Sequence, residues 1–227
     1  LVVPPSDIPR LRRLIRLMFT MMIGRLTEGL EFNAGVVKAN AHRLLLMIDE
    51  FPTLKKLTIL EDSLAYIRGF GIQAYLIAQD TQQILGAYSQ YESIISNCDI
   101  RIAFAPNHPD TAEMLSSMTG KTTIMRATKS YSGSRLGPVL GQVSENVEYV
   151  ERELMTPDEI TRLRKPRKEG VADKQRIVEG GAMLIFRAGY YPIYGQQPLF
   201  FQDPVFLART KIPCPSAMVE IRKDGSV

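Results

Sequence analysis

The spacing of apolar residues changes along the chain in a repeating order. From Ile8 to about Leu30 the apolar positions Leu11, Leu14, Ile15, Met18, Met22 and Leu26 recur every three or four residues. That spacing predicts an amphipathic helix, with Ser6 or Asp7 as its cap after the strand-like start Leu1-Val2-Val3-Pro4-Pro5. A turn-prone stretch from Gly29 to Gly35 follows. Leu44 to Ile48 is then an unbroken apolar run, which predicts a short strand buried on both faces, as strands of parallel sheets are. Thr53 to Gly69 returns to helical spacing through Leu54, Leu57, Leu60, Leu64 and Ile67, and Gly69-Phe70-Gly71 closes it. Ile72 to Ala78 predicts a second buried strand. A helix over Thr81 to Ser96 comes next, with a break expected near Gly86, then a third strand over Ile100 to Ala105 and a helix over His108 to Thr119.

Strands alternating with helices define βαβ units and a mainly parallel sheet flanked by helices, so the fold class is α/β. This pattern covers residues 1–120. Residues 121–150 change texture to Thr, Ser, Gly and Val and predict a β-ribbon or a mobile excursion. Residues 151–227 read as the completion of the same domain. There Thr156, Pro157 and Glu159 form a helix start with a capping box. A basic loop from Arg162 to Lys168 follows, Ala182 to Arg187 is read as the last core strand, and the tail from Gly189 is expected to wrap the surface.

Composition narrows the picture only a little. The 227 residues are 45% hydrophobic and 23% charged, as in ordinary globular proteins. A net charge of +4 permits contact with nucleic acid or anionic lipid without requiring either. Arg10, Arg12, Arg13, Arg16 and Arg25 cover much of the first helix, and a solvated face is preferred over a DNA contact. The two cysteines, Cys98 and Cys214, are too few for a disulfide framework, and the two histidines, His42 and His108, share no ligand spacing with them. No structural metal site is expected. No apolar stretch approaches the roughly 18 residues of a membrane span. The chain opens without methionine inside what reads as a strand, which suggests a fragment.

Candidate chemistry concentrates at strand ends, where open α/β sheets bind ligands. The run Leu44 to Ile48 ends in Asp49-Glu50. An aspartate there can hold Mg²⁺ through its water shell, and a glutamate can polarise a water for attack on a γ-phosphate, so the pair resembles a Walker B element. The competing reading is a strand running into a solvated turn. Gln79, ending the neighbouring strand, falls within reach of the same phosphate; alternatively Gln79 and Asp80 cap the next helix. Arg101 opens the third strand and is either an arginine finger for a neighbouring subunit or the partner of Asp99 or another nearby carboxylate. Thr119-Gly120-Lys121-Thr122 is a decoy. A phosphate-binding loop needs G-x-x-x-x-G-K-[ST], and the position five before Gly120 is Leu115. The chain therefore carries the metal- and water-handling half of a nucleotide site without the phosphate cradle.

The stretches LVVPPSD, LLLMIDEFPTL, LAYIRGFGIQAYLIAQD, ESIISNCDIRIAFAPN with DTAEML, LMTPDEI and QDPVF, in this order, resemble the C-terminal part of the ATPase domain of TraG/TraD-type coupling proteins. The resemblance implies a RecA-like P-loop NTPase motor domain, lacking its Walker A part here. It also implies a homo-hexameric ring that binds ATP and Mg²⁺ and moves single-stranded DNA, with a relaxase or a secreted protein substrate, toward type IV secretion channel components. Such proteins work at the cytoplasmic face of the bacterial inner membrane, so the membrane would be reached only through a segment outside this chain. By position, Asp49 and Glu50 match the family's Walker B acids, Gln79 its post-strand glutamine, and Arg101 an arginine that recurs in similar sequences. The rival expectation is a truncated, non-catalytic docking module.

Overall fold

Helix α1 (Ile8–Leu26) starts with a proline in its first turn and buries Ile15 and Ile23. The computed structural model describes residues 3–29, 31–33, 36–38, 43–132, 142–170 and 175–213, and its elements are those of this chain. The helix is shorter than its apolar spacing predicts, because the Thr27 hydroxyl bonds the carbonyls of Ile23 and Gly24 and closes the last turn. Arg10 pairs with Asp7 and Arg25 with Glu28 on the exposed surface. Arg12 and Arg16 are half-buried, and Arg12 donates from Nε to the Thr53 carbonyl at 3.1 Å, so the five arginines do not share one solvated face. Two three-residue strands, β1 (Glu31–Asn33) and β2 (Val36–Lys38), pair antiparallel where the sequence predicts a turn.

The parallel pair is β3 (Leu44–Ile48) and β4 (Ile72–Leu76), in register from Leu44 opposite Ile72 to Ile48 opposite Leu76. The crossover between them is not the single helix its spacing predicts. It divides into a 3₁₀ turn at Phe51–Leu54, α2 (Thr58–Ser63) and a second 3₁₀ turn at Ile67–Phe70. The cause is local: Pro52 lies in the first turn and Lys55 sits at φ +59°, which no helix accommodates. Leu54, Leu57, Leu60 and Ile67 are nonetheless all buried, Leu54 and Ile67 from the two 3₁₀ turns, Leu60 from α2 and Leu57 from the residue before it. After β4 come α3 (Thr81–Tyr88) and α4 (Ile94–Asn97), and the break falls at Ser89, with φ +80°, rather than at Gly86.

The third predicted strand, β5 (Ile100–Ala103), does not extend the parallel sheet. After α5 (Pro109–Thr119), the ribbon strands β6 (Lys121–Ser132) and β7 (Gln142–Glu153) and α6 (Pro157–Thr161), the chain forms β8 (Arg167–Glu169), β9 (Arg176–Glu179) and β10 (Ala182–Arg187). β5 pairs antiparallel with β10, Ile102 opposite Ile185. On the other side of β10 lies β11 (Ile193–Gln196), from the tail predicted to wrap the surface, so β10 is not the last strand. Helix α7 (Pro204–Thr210) ends the described chain. Leu184 and Phe186 of β10 draw β5 away from β3–β4 by packing with Leu115, Ile160 and Leu163 into a second core. Gly180 permits the approach of the tail: a Cβ there would lie 2.0 Å from the Gln197 carbonyl oxygen.

The β3–β4 and β11–β10–β5 sheets each leave apolar side chains exposed on one face. On β3, Leu46 and Ile48 are buried in the core they share with Ile15 and Ile23 of α1 and Leu60 of α2, while Leu45 and Met47 are 53% and 62% exposed. The expectation of burial on both faces is therefore corrected: the described chain supplies one layer of helix, not two. Ile100, Ile102 and Ile193 are exposed in the same way on the β11–β10–β5 sheet. No described helix is long and apolar enough to cross a membrane.

The capping box on α6 forms as its spacing predicts: Thr156 Oγ1 accepts from the Glu159 amide and Glu159 accepts from the Thr156 amide. Arg152 at the end of β7 donates twice to the same carboxylate, at 2.9 and 2.7 Å. The Thr156 amide and then Arg152 hold the Glu159 carboxyl at about 2, from an ordinary 4.5. Its folded pKa is depressed, so its stabilisation is complete above 4.5 and disappears as pH falls through about 2. Thr156→Ala is expected to cost about 1 kcal/mol in urea denaturation at neutral pH. A Glu159→Gln variant is expected to differ from wild type at neutral pH and to converge with it in acid.

Candidate active site

Parallel pairing brings the carboxyl ends of β3 and β4 side by side. The ladder runs past the strands, with the Ile77 amide donating to Ile48 at 3.0 Å and the Phe51 amide donating to Ile77 at 3.1 Å. Between these two bonds the chain must turn sharply, and Glu50 takes the left-handed conformation at φ +50°. That conformation costs a non-glycine residue of order 1 kcal/mol. Thr53 offsets it by donating its amide at 2.9 Å and its hydroxyl at 2.7 Å to the Glu50 carbonyl. Phe51, 2% exposed, anchors the next position in the core.

The turn presents Glu50 across the sheet edge, where its Oε1 accepts a 2.6 Å hydrogen bond from Gln79 Nε2. The two predicted residues, 29 positions apart, therefore meet. Gln79 does not cap the following helix; Asp80 does, accepting from the Gln82 amide at 2.9 Å. Asp49 is exposed beside them. Arg101 is not brought to this pair. It lies on the other sheet, donates from Nε to the Cys98 carbonyl at 3.1 Å, and forms no ion pair among the described residues. The alternative partner Asp99 faces Arg187 instead, at 3.9 Å. Arg101 does line an open cavity with Thr81, Gln82, Glu92 and Asp110, next to the Gln79-Asp80 turn.

The donor set suits one kind of metal. Among the described residues no group of three His, Cys, Asp or Glu side chains could cage an ion. Magnesium bound with a nucleotide needs no cage; it keeps several waters and takes one or two carboxylates together with phosphate oxygens. Asp49 fits that pattern as the single carboxylate, with Glu50 next to it in the chain. The decoy Thr119-Gly120-Lys121-Thr122 proves to be a helix-to-strand junction, with Lys121 facing Glu151 at 3.8 Å.

Sequence reasoning overlooked Thr53 and Thr111. Thr53 had a signal, a hydroxyl three residues after a strand-end acid. Thr111 had none, because its bond to Asp80 spans 31 residues.

An acid pair on a sheet edge, with a glutamine from the adjacent parallel strand on its glutamate, places the chain among α/β domains whose candidate site lies at the carboxyl ends of parallel strands. Solved structures bear out the fold. The plasmid coupling protein TrwB with the GTP analogue GDPNP superposes with a TM-score of 0.58 at 20% identity, over 86% of this chain and 39% of that one. TrwB with ADP and Mg²⁺ gives 0.58 at 19% identity, over 86% and 38%. Over the matched part the chain has the RecA-like fold of these structures.

The chain belongs to the family of type IV secretory system conjugative DNA transfer proteins, whose model matches residues 1–220. It is 45% identical to the conjugal transfer protein TraG of Escherichia coli over 226 residues, 98% of this chain and 35% of that protein. The VirD4 protein of Rhizobium radiobacter is 28% identical over 58% of this chain and 19% of its own length. The chain thus spans about a third of the length of the TraG relatives it matches.

Proposed function

We propose that this chain supplies the Walker B half of the nucleotide site of an ATP-driven coupling protein in conjugal transfer. The observation that carries the reading is the Glu50–Gln79 hydrogen bond at the carboxyl ends of a parallel strand pair. Asp49 orients the water shell of Mg²⁺, Glu50 accepts the proton of an attacking water, and Gln79 stands beside Glu50 to report the terminal phosphate. When bound, Mg²⁺ supplies neutralisation of charge on the phosphates. Family membership supports the wider setting: a homo-hexamer, single-stranded DNA with its relaxase or a secreted protein as cargo, and a type IV secretion channel at the cytoplasmic face of the inner membrane. The nucleotide complexes of TrwB support ATP and Mg²⁺ as the ligands. Arg101 is proposed to serve a neighbouring subunit's nucleotide, since it pairs with no carboxylate among the described residues of its own.

The test is thermal unfolding of the longest polypeptide that contains this chain, with and without Mg·ATP. Saturation to 100 times Kd is expected to stabilise it by about 2.7 kcal/mol. Asp49→Asn is expected to remove most of the magnesium-dependent part. No shift at millimolar Mg·ATP would reject the nucleotide site and leave a docking module.

A further inference from the structure

Among the described residues four polar side chains are buried: Ser63, Thr111, Ser116 and Thr119. Three of these four lie on α5, and their hydroxyls tie that helix at its two ends. At the amino end, Thr111 Oγ1 donates to Asp80 Oδ1 at 2.8 Å and lies 2.7 Å from the Thr81 hydroxyl. Gln82 adds a bond to Asp110 at 2.8 Å. At the carboxyl end, Ser116 donates to the Met155 carbonyl at 2.7 Å and Thr119 Oγ1 accepts from the Met155 amide at 3.2 Å. Leu154 closes the same junction by donating to the Gly120 carbonyl at 2.8 Å. Lys121, the next residue, begins the β6–β7 ribbon. A helix of 11 residues is a rod of about 16 Å.

Burying hydroxyls is costly unless they are bonded, and bonded networks fix one arrangement of the parts they join. Asp80 is the fixed point at the amino end. The Gln82 amide and the Thr111 and Thr81 hydroxyls hold its carboxyl below the ordinary range, against the opposing effect of burial. The residue before Asp80 is Gln79, whose amide has two possible acceptors in the proposed site: Glu50, as here, or a phosphate oxygen. That choice is a two-state element of the kind coupling requires.

We propose that α5 is a rigid coupler that carries the state of the Gln79–Asp80 turn to the β6–β7 ribbon, with Thr111 as the positioning residue at the sensor end. This rests on the nucleotide reading above only in what moves Gln79.

The experiment is hydrogen exchange of the ribbon amides in the longest polypeptide containing this chain, with and without Mg²⁺ and a non-hydrolysable ATP analogue. In wild type the analogue is expected to change ribbon exchange by about fivefold or more. Thr111→Val is expected to bind the analogue as wild type does in an equilibrium titration, yet to lose the ribbon response. Thr111→Ser restores it, and Ser116→Ala, at the ribbon end, loses it. An equal ribbon response in wild type and in both loss variants overturns the proposal, as does an unresponsive wild-type ribbon with nucleotide bound. If wild type binds no nucleotide, the functional reading fails separately. The coupling is then read with Gln79→Ala, expected to alter ribbon exchange in the wild-type background and not in Thr111→Val; equal changes in both overturn it.

Discussion

Glu50→Gln is expected to stop nucleotide hydrolysis while leaving nucleotide binding in place. The substitution keeps the length of the side chain and an oxygen that can still accept from Gln79 Nε2, now at 2.6 Å from Glu50. What it removes is the capacity to take a proton from water. A positioned general base contributes about 10²–10⁴-fold to rate, so phosphate release should fall by that factor. The backbone should not respond, because the left-handed turn is held by the Thr53 amide and hydroxyl on the Glu50 carbonyl and by the Phe51 amide on Ile77. Steady-state phosphate release and an equilibrium titration with Mg·ATP separate the two effects. A lower turnover with unchanged affinity identifies an interaction made in the transition state. Unchanged turnover would remove Glu50 as the base and, with it, the functional reading of the acid pair.

Where the sequence was legible, the cause was local. Thr156, Pro157 and Glu159 encode a helix start within four positions, and the capping box forms as predicted. Leu44 to Ile48 and Ile72 to Leu76 are strands because apolar runs of that length bounded by turns have few alternatives. The acid pair and Gln79 were legible because parallel pairing of consecutive strands aligns their carboxyl ends, so a residue ending one lies near a residue ending the other.

What escaped the sequence is what depends on distant segments. Ile100 to Ala103 has the same texture as β3 and β4, yet its partner is β10, more than 80 positions on, chosen by a second core around Ile160 and Leu184. β11 was hidden in a Pro- and Tyr-rich tail because Tyr194 and Gly195 give no apolar run, and the strand is recruited by β10. The helical spacing of Leu54 to Ile67 reported burial correctly but conformation only for α2, since two 3₁₀ turns flanking that short helix place the other apolar residues in the same core. Burial on both faces of β3 was inferred from its continuous apolar run. Leu45 and Met47 still carry that signal, although the described chain leaves their face open. An apolar residue reports which surface it is suited to, not whether the same chain supplies the cover.

Phe51→Ala is expected to be the most costly single change to stability, and it also reaches the site. The ring is 2% exposed and packs at 6.0 Å between centroids on Tyr88, itself buried at the end of α3. The Tyr88 hydroxyl accepts from the Leu57 amide at 3.3 Å, so the aromatic pair joins α3 to the broken crossover between β3 and β4. Truncating a buried phenylalanine costs about 3–5 kcal/mol, against a total stability of about 5–15 kcal/mol for a domain. Urea denaturation should register a loss of that size. The same anchor fixes the residue that follows Glu50 in its left-handed turn, so its loss should let the turn relax and Glu50 leave Gln79. Phe51→Leu separates the two consequences. It keeps an apolar side chain in the core and should retain most of the stability, while losing the ring contact with Tyr88. If hydrolysis in the complete polypeptide falls in Phe51→Leu with the fold intact, the aromatic anchor holds the catalytic turn; if it is unchanged, Phe51 serves the core alone and Thr53 suffices to hold Glu50.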